Sequence, residues 1–198
     1  IQNEVIKNDI LKNESEKIIS LILSIKGGKE YVLSSQEQID AVERAKKVLD
    51  DKWDDFVKNN LIPLEEMPDE ARGAIWAKLY LKYWHKLLNP RQKLLFITLI
   101  KKIQEYIGIL SQDQSKDYRE AVGTYLSLIL GKHIDRNCRS TTWDRTRETI
   151  AHTLTFRGIA IFWDHAEVNP FIKGSGTLPN INKTILDGLK YSILLSTM

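Results

Sequence analysis

Apolar positions recur at helical spacing along most of the chain. Over residues 4–25, Val5, Ile6, Ile10, Leu11, Ile18, Ile19, Leu21, Ile22 and Leu23 are separated by polar and charged side chains, the pattern of an amphipathic helix. Gly27-Gly28 ends it, and Tyr31-Val32-Leu33 reads as one short strand. Ser34 with Glu37, and Ser35 with Gln38, both have capping-box spacing. A helix over about 36–59 follows, with Ile39, Val42, Ala45, Val48, Leu49, Trp53 and Phe56 on one side and Asn59-Asn60 and Pro63 as its stop.

Residues 60–73 read as loop, and 71–88 as an aromatic-rich segment carrying Trp76, Tyr80, Tyr83 and Trp84. Asn89 suits a helix cap and Pro90 a first helical position, so a strongly apolar helix runs over 90–110. A polar break precedes a helix over 117–134, with Tyr118, Val122, Tyr125, Leu126, Ile129 and Leu130 inward. A polar, basic connector over 135–145 leads to a helix over 146–168, broken at Gly158, then a loop over 174–182 and a last helix over 183–195. The expected fold is all-α, a multi-helix bundle-like domain with at most one short strand or hairpin. Residues 1–60 read as an N-terminal helical hairpin and 61–198 as a helical core.

Composition adds little. Hydrophobic content of 42%, charged content of 28% and a net charge of +3 are ordinary for a globular chain and only weakly favour an anionic partner. A single cysteine, Cys138, excludes an internal disulfide and a multi-cysteine zinc site, and fits a reducing compartment such as the cytoplasm. Apolar runs fall short of the roughly 20 residues that span a bilayer. The chain starts without Met, as a fragment or processed chain would.

Two clusters carry candidate chemistry. Around the connector stand His133, Arg136, Asn137, Arg139, Thr141, Thr142, Trp143, Arg145 and Arg147. Guanidinium forks grip phosphate, Asn and Thr add neutral donors, and Trp143 offers a stacking face. The competing reading is a solvated loop whose charges pair with Asp135, Asp144 and Glu148. The second cluster is Trp163, Asp164, His165 and Glu167, followed by Asn169-Pro170-Phe171. On a helix, His165 points off the face shared by Asp164 and Glu167, which favours a polar network around Trp163 over a metal or acid–base site. Asn169-Pro170-Phe171 has one proline where the base-holding motif of amino-methyltransferases has two, and reads as a helix stop.

Four blocks in order resemble one family. They are Asn89-Pro90-Arg91-Gln92; Tyr118-Arg119-Glu120-Ala121-Val122 with Thr124-Tyr125-Leu126; Asp135-Arg136-Asn137 leading to Trp143; and 163–171, Trp-Asp-His-Ala-Glu-Val-Asn-Pro-Phe. Together they resemble the large adenine-specific DNA methyltransferases that contain a zinc ribbon, over about residues 60–176. Departures fall at Phe156-Arg157, Ala160 and His165. The resemblance implies a helical insert lying between the cofactor-binding glycine motif and the Asp-Pro-Pro-Tyr motif of such an enzyme. Neither motif is in this sequence, so it implies a DNA-contacting or scaffold portion of a modification or defence enzyme, without methyl transfer of its own. S-adenosylmethionine is then the cofactor of the parent protein, with none in this chain. DNA and the remaining methyltransferase domains are the implied partners, with no membrane. The implied nucleic-acid contacts are Arg91, Arg136, Asn137, Arg139, Trp143, Arg145 and Arg157. Trp163, Asp164, Glu167, Asn169, Pro170 and Phe171 are implied to hold the segment that faces the cofactor-binding core. The alternative is a non-enzymatic helical interaction module docking through Trp76, Tyr80, Tyr83 and Trp84.

Overall fold

Residues Ser20–Ile25 and Gly28–Leu33 form strands β1 and β2, an antiparallel hairpin in register from Ser20 opposite Leu33 to Ile25 opposite Gly28. This is a computed structural model that describes residues 16–68, 78, 80–155, 159–160, 162 and 164–197. The hairpin overturns the helix expected through residue 25. A continuous run such as Leu21-Ile22-Leu23 suits either helix or strand. The turn decides, because Gly27 adopts φ 98°, which reverses the chain and brings a second β-competent run alongside the first. Residues 4–15 of that expected helix lie outside the described residues.

The described residues fall into two compact units, one within 1–95 and 158–160, the other within 96–157 and 161–198. In the first, helix α1 (Gln36–Asp51) starts where Gln38 Oε1 accepts the Ser35 backbone N–H at 2.9 Å. The expected single helix over 36–59 is interrupted at Lys52 and resumes as α2 (Trp53–Lys58). Among the described residues of this unit, Ala45, Leu49, Phe56, Leu61, Ile62, Met67, Leu81 and Leu87 are the buried apolar side chains. Trp53 meets the edge of His85 at 5.4 Å between ring centres, and a 3-10 turn spans Trp84–Leu87.

Helix α3 (Pro90–Leu110) begins on a reciprocal cap: Asn89 Oδ1 accepts the Gln92 N–H at 2.9 Å and Gln92 Oε1 accepts the Asn89 N–H at 3.0 Å. Helix α4 (Lys116–Ile134) begins on Ser115, whose Oγ accepts the Tyr118 N–H. Strands β3 (Trp143–Asp144) and β4 (Thr149–Ile150) form a second antiparallel hairpin. A 3-10 turn over Thr153–Thr155 and irregular chain lead to helix α5 (Leu178–Ser196), which packs on α4.

Two hairpins beside five helices among the described residues make the chain largely helical but mixed, not all-α. The helix expected over 146–168 is absent from the described part of that range. Asp144 Oδ1 accepts the N–H groups of Thr146 and Arg147 at 2.9 and 3.1 Å, offering the backbone a turn in place of a helix. Thr149 and Ile150, β-branched, then suit a strand. The last helix starts five residues earlier than expected, because Pro179 sits in its first turn, where no amide donor is needed. No helix among the described residues is long and apolar enough to cross a membrane.

Candidate functional site

The second unit buries more polar side chains than apolar ones. Its buried apolar residues, among those described, are Phe96, Ile97, Cys138, Ile150 and Ile181, against His133, Asp135, Asn137, Arg139, Ser140, Thr141 and Thr177. Such an interior is stable only if its donors and acceptors are matched. The segment 133–141, leaving the end of α4, carries most of them.

His133 is fully buried beside Phe96, with ring centres 5.4 Å apart. Its Nδ1 faces the Gly176 carbonyl at 3.1 Å and its Nε2 faces Asn137 Nδ2 at 3.3 Å. A carbonyl only accepts and an amide nitrogen only donates, so the ring is neutral with its proton on Nδ1. Burial pulls its pKa below the ordinary imidazole value, against the pull of the Gly176 carbonyl. Asn137 completes the tie: its Oδ1 accepts the Val168 N–H at 3.2 Å. Thr141 adds another, since its hydroxyl lies between the carbonyls of Cys138 and Ala166 while its own carbonyl accepts the Ala166 N–H at 3.1 Å.

Asp135, Arg136 and His152 form a second cluster. Asp135 Oδ2 lies 2.6 Å from His152 Nδ1 and 3.0 Å from Lys132 Nζ, and its Oδ1 accepts the Leu154 N–H at 2.9 Å. Burial raises the Asp135 pKa, but the Leu154, His152 and Lys132 donors outweigh it and hold the carboxyl below its ordinary value. Arg136 Nη2 faces His152 Nε2, and Nη1 donates to the Ile150 carbonyl at 3.1 Å and Ser175 Oγ at 2.9 Å. The arginine stem lies against Gly176, where an added Cβ would stand 3.2 Å from Arg136 Cβ and 2.8 Å from Ile150 Cγ2. Gly176 takes φ 79°, so glycine is required there twice over, by backbone and by space. Cys138 is buried, with Sγ 3.1 Å from Thr153 Oγ1, and burial pushes its thiol pKa up.

The expected nucleic-acid residues therefore separate. Asn137 and Arg139 are buried and Arg136 is tied to three neighbours within the fold. The connector is thus a polar interior in large part, not the solvated loop of the competing reading. Trp143 is half-buried on β3, opposite Ile150. Arg145 and Arg147 are exposed in the β3–β4 loop, Arg147 Nε 3.9 Å from Asp144 Oδ2. Arg91 is half-buried in the first turn of α3, in the other unit. Arg157 and Trp163 lie outside the described residues.

In the second cluster Asp164, Glu167 and Asn169 are exposed, and His165 and Pro170 are half-buried. Asn169-Pro170 stops no helix, since 164–169 is irregular; Asn169 Oδ1 instead accepts the Phe171 N–H at 3.0 Å, a local turn. Phe171 is exposed. Among the described residues no three His, Cys, Asp or Glu side chains stand close enough to hold a metal ion. Sequence reasoning missed His152, Ser175 and Gly176, which lie 16 to 43 positions from their partners. The four-residue step from His133 to Asn137 was the one legible signal, since a single turn of chain past the end of α4 brings side chains so spaced together.

No protein-family model matches the chain, and neither does any curated protein or solved structure.

Proposed function

We propose that this chain is a helical, DNA-contacting and scaffold portion of an adenine-specific DNA methyltransferase, and that it carries neither the cofactor-binding nor the catalytic loop of that enzyme. One observation supports this reading above others. The third and fourth sequence blocks that carry the resemblance are hydrogen-bonded to each other, Asn137 to Val168 and Thr141 to Ala166. Residues some thirty positions apart thus act as one folded unit. In this reading Arg136, Asn137 and Arg139 keep the unit folded, and the DNA contacts narrow to Arg145 and Arg147 on the hairpin tip, with Arg91 and Arg157 elsewhere. The tip is held in shape by Asp144, so two guanidinium groups reach solvent from an ordered loop. Asp164, Glu167 and Asn169 would face the rest of the enzyme, where S-adenosylmethionine is bound and a flipped adenine is methylated. The enzyme would work in the cytoplasm, in modification or defence of DNA.

The test is duplex-DNA binding by fluorescence anisotropy at several salt concentrations, comparing the chain with the double variant Arg145→Gln, Arg147→Gln. Each lost phosphate contact should reduce the slope of log affinity against log salt by about 0.9. Affinity and slope unchanged by the double substitution would sink the DNA role. Incubation with labelled S-adenosylmethionine should give no methyl incorporation.

The second reading, a protein-interaction module, draws on α5. Tyr191, Ile193, Leu194 and Leu195 are exposed in its last two turns, whereas Tyr80, Tyr83 and Trp84 are half-buried, Tyr83 stacked on His85. Trp76 lies outside the described residues. A binding face of that kind would tolerate salt.

A further inference from the structure

We propose that His152 is the moving part of a pH-operated latch, which holds the Arg136 guanidinium onto the loop before α5 when the imidazole is neutral and expels it when the imidazole is protonated. The proposal stands on donor and acceptor geometry and holds whether or not DNA is the partner.

His152 lies between two groups of opposite demand. Asp135 Oδ2, 2.6 Å from Nδ1, accepts only, so Nδ1 carries a proton. Arg136 Nη2 donates only, so Nε2 must present its lone pair. The neutral Nδ1–H ring satisfies both. A second proton, on Nε2, would point a donor at a donor and set imidazolium against guanidinium. Asp135 binds the imidazolium more strongly than the neutral ring, because the hydrogen bond becomes an ion pair. The group displaced is therefore Arg136.

The consequence is confined to the arginine head. Its stem is packed against Gly176, so Cβ and Cδ stay in place. The head leaves Ser175 Oγ and the Ile150 carbonyl, which unties the loop over 173–177 from β4 and from the turn after α4. Water reaches the ring: the His152 side chain is 31% exposed and lines a shallow groove of about 610 Å³ with Leu128, Gly131, Lys132, Asp135 and Ile185. Lys132, Asp135 and Arg136, charged groups from α4 or the turn after it, line the groove beside His152 or bond its ring. Helix α5 contributes the neutral Ile185 to the groove, and the 3-10 turn contributes Leu154.

The experiment is side-chain nitrogen and backbone amide NMR of the full chain between pH 8 and pH 5, with His152→Gln alongside. Glutamine keeps one acceptor for Arg136 and one donor for Asp135 at every pH, so it models the closed latch. At pH 8 the His152 ring should show the Nδ1–H tautomer. As His152 Nε2 gains its proton, the backbone amide signals of Ser175 and Ala151 should shift with the same midpoint, and that shift should vanish in His152→Gln. Ala151 reports on the Ile150 carbonyl, with which its amide shares a peptide bond. His133 is present in both proteins, so its own titration cancels. An Nε2–H tautomer at pH 8, or a His152 titration that leaves Ser175 and Ala151 unmoved, overturns the proposal in the native chain alone. The same Ser175 shift in a folded His152→Gln protein also overturns it.

Discussion

Asn137 stands one helical turn beyond His133, and its amide joins the imidazole of α4 to the backbone of Val168, donating to one at 3.3 Å and accepting from the other at 3.2 Å. Both side chains are within about one per cent of complete burial. Replacing Asn137 with Ala would leave His133 Nε2 and the Val168 N–H without that partner. Each buried polar group so stranded costs about 1–3 kcal/mol, so Asn137→Ala should lose about 2–4 kcal/mol in urea unfolding. A loss within experimental error of zero would show that the tie carries no stability.

Acid should weaken the fold through His133. Burial lowers its folded pKa below the ordinary value of 6.5, so the unfolded chain binds the proton more readily. The stabilising contribution is complete above that value and is lost as the pH falls through it toward the folded pKa. Asp135, with its pKa held below the ordinary 3.8, contributes above that pH and loses its contribution only in stronger acid. The urea midpoint should therefore fall in the mildly acidic range, and His133→Gln should flatten that part of the curve while leaving the stronger-acid part.

Two glycines should respond in opposite senses to alanine. At Gly176 the new Cβ would stand 2.8 Å from Ile150 Cγ2 on a backbone at φ 79°. Crowding and left-handed strain together should destabilise by about 2–4 kcal/mol. At Gly131, inside α4, nothing lies within 4 Å of the added Cβ. Gly131→Ala should stabilise by about 0.5–1 kcal/mol through helix propensity alone. Thermal midpoints moving in the same direction would contradict the packing described.

Cys138 should resist alkylation in the native protein. Its side chain is buried and burial raises its pKa, so the reactive thiolate is scarce and out of reach. Iodoacetamide should label it at the rate of unfolding, and labelling should become fast in denaturant. Rapid native labelling would show that the turn around Thr153 opens freely.

The start of α3 tests the value of a reciprocal cap. Asn89→Ala removes the acceptor for the Gln92 N–H and should cost about 1 kcal/mol. Asn89→Ser should recover much of that loss, because Ser caps nearly as well. Equal melting temperatures for the native chain and Asn89→Ala would show that the cap adds nothing.

Much of the local structure was legible in the chain. Helices α3 and α4 follow from apolar periodicity, and α3 also from its cap at Asn89, because these signals lie within a few residues of the element they specify. Tyr31, Val32 and Leu33 read as strand for the same reason. The partner strand did not, since Leu21-Ile22-Leu23 suits two conformations and only pairing across Gly27 chooses between them. The arginine-rich segment 136–147 was visible as a cluster, yet its division into buried Asn137 and Arg139 and exposed Arg145 and Arg147 was not. Burial of a polar side chain depends on donors and acceptors supplied by distant residues, here the acceptors of Ser175, Gly176 and Ala166 and the Val168 N–H. Sequence by itself determined where helices could begin and which residues could donate or accept. Tertiary structure alone decided which of those groups meet, because hydrogen bonds between residues far apart form only when the chain has already closed the loop between them.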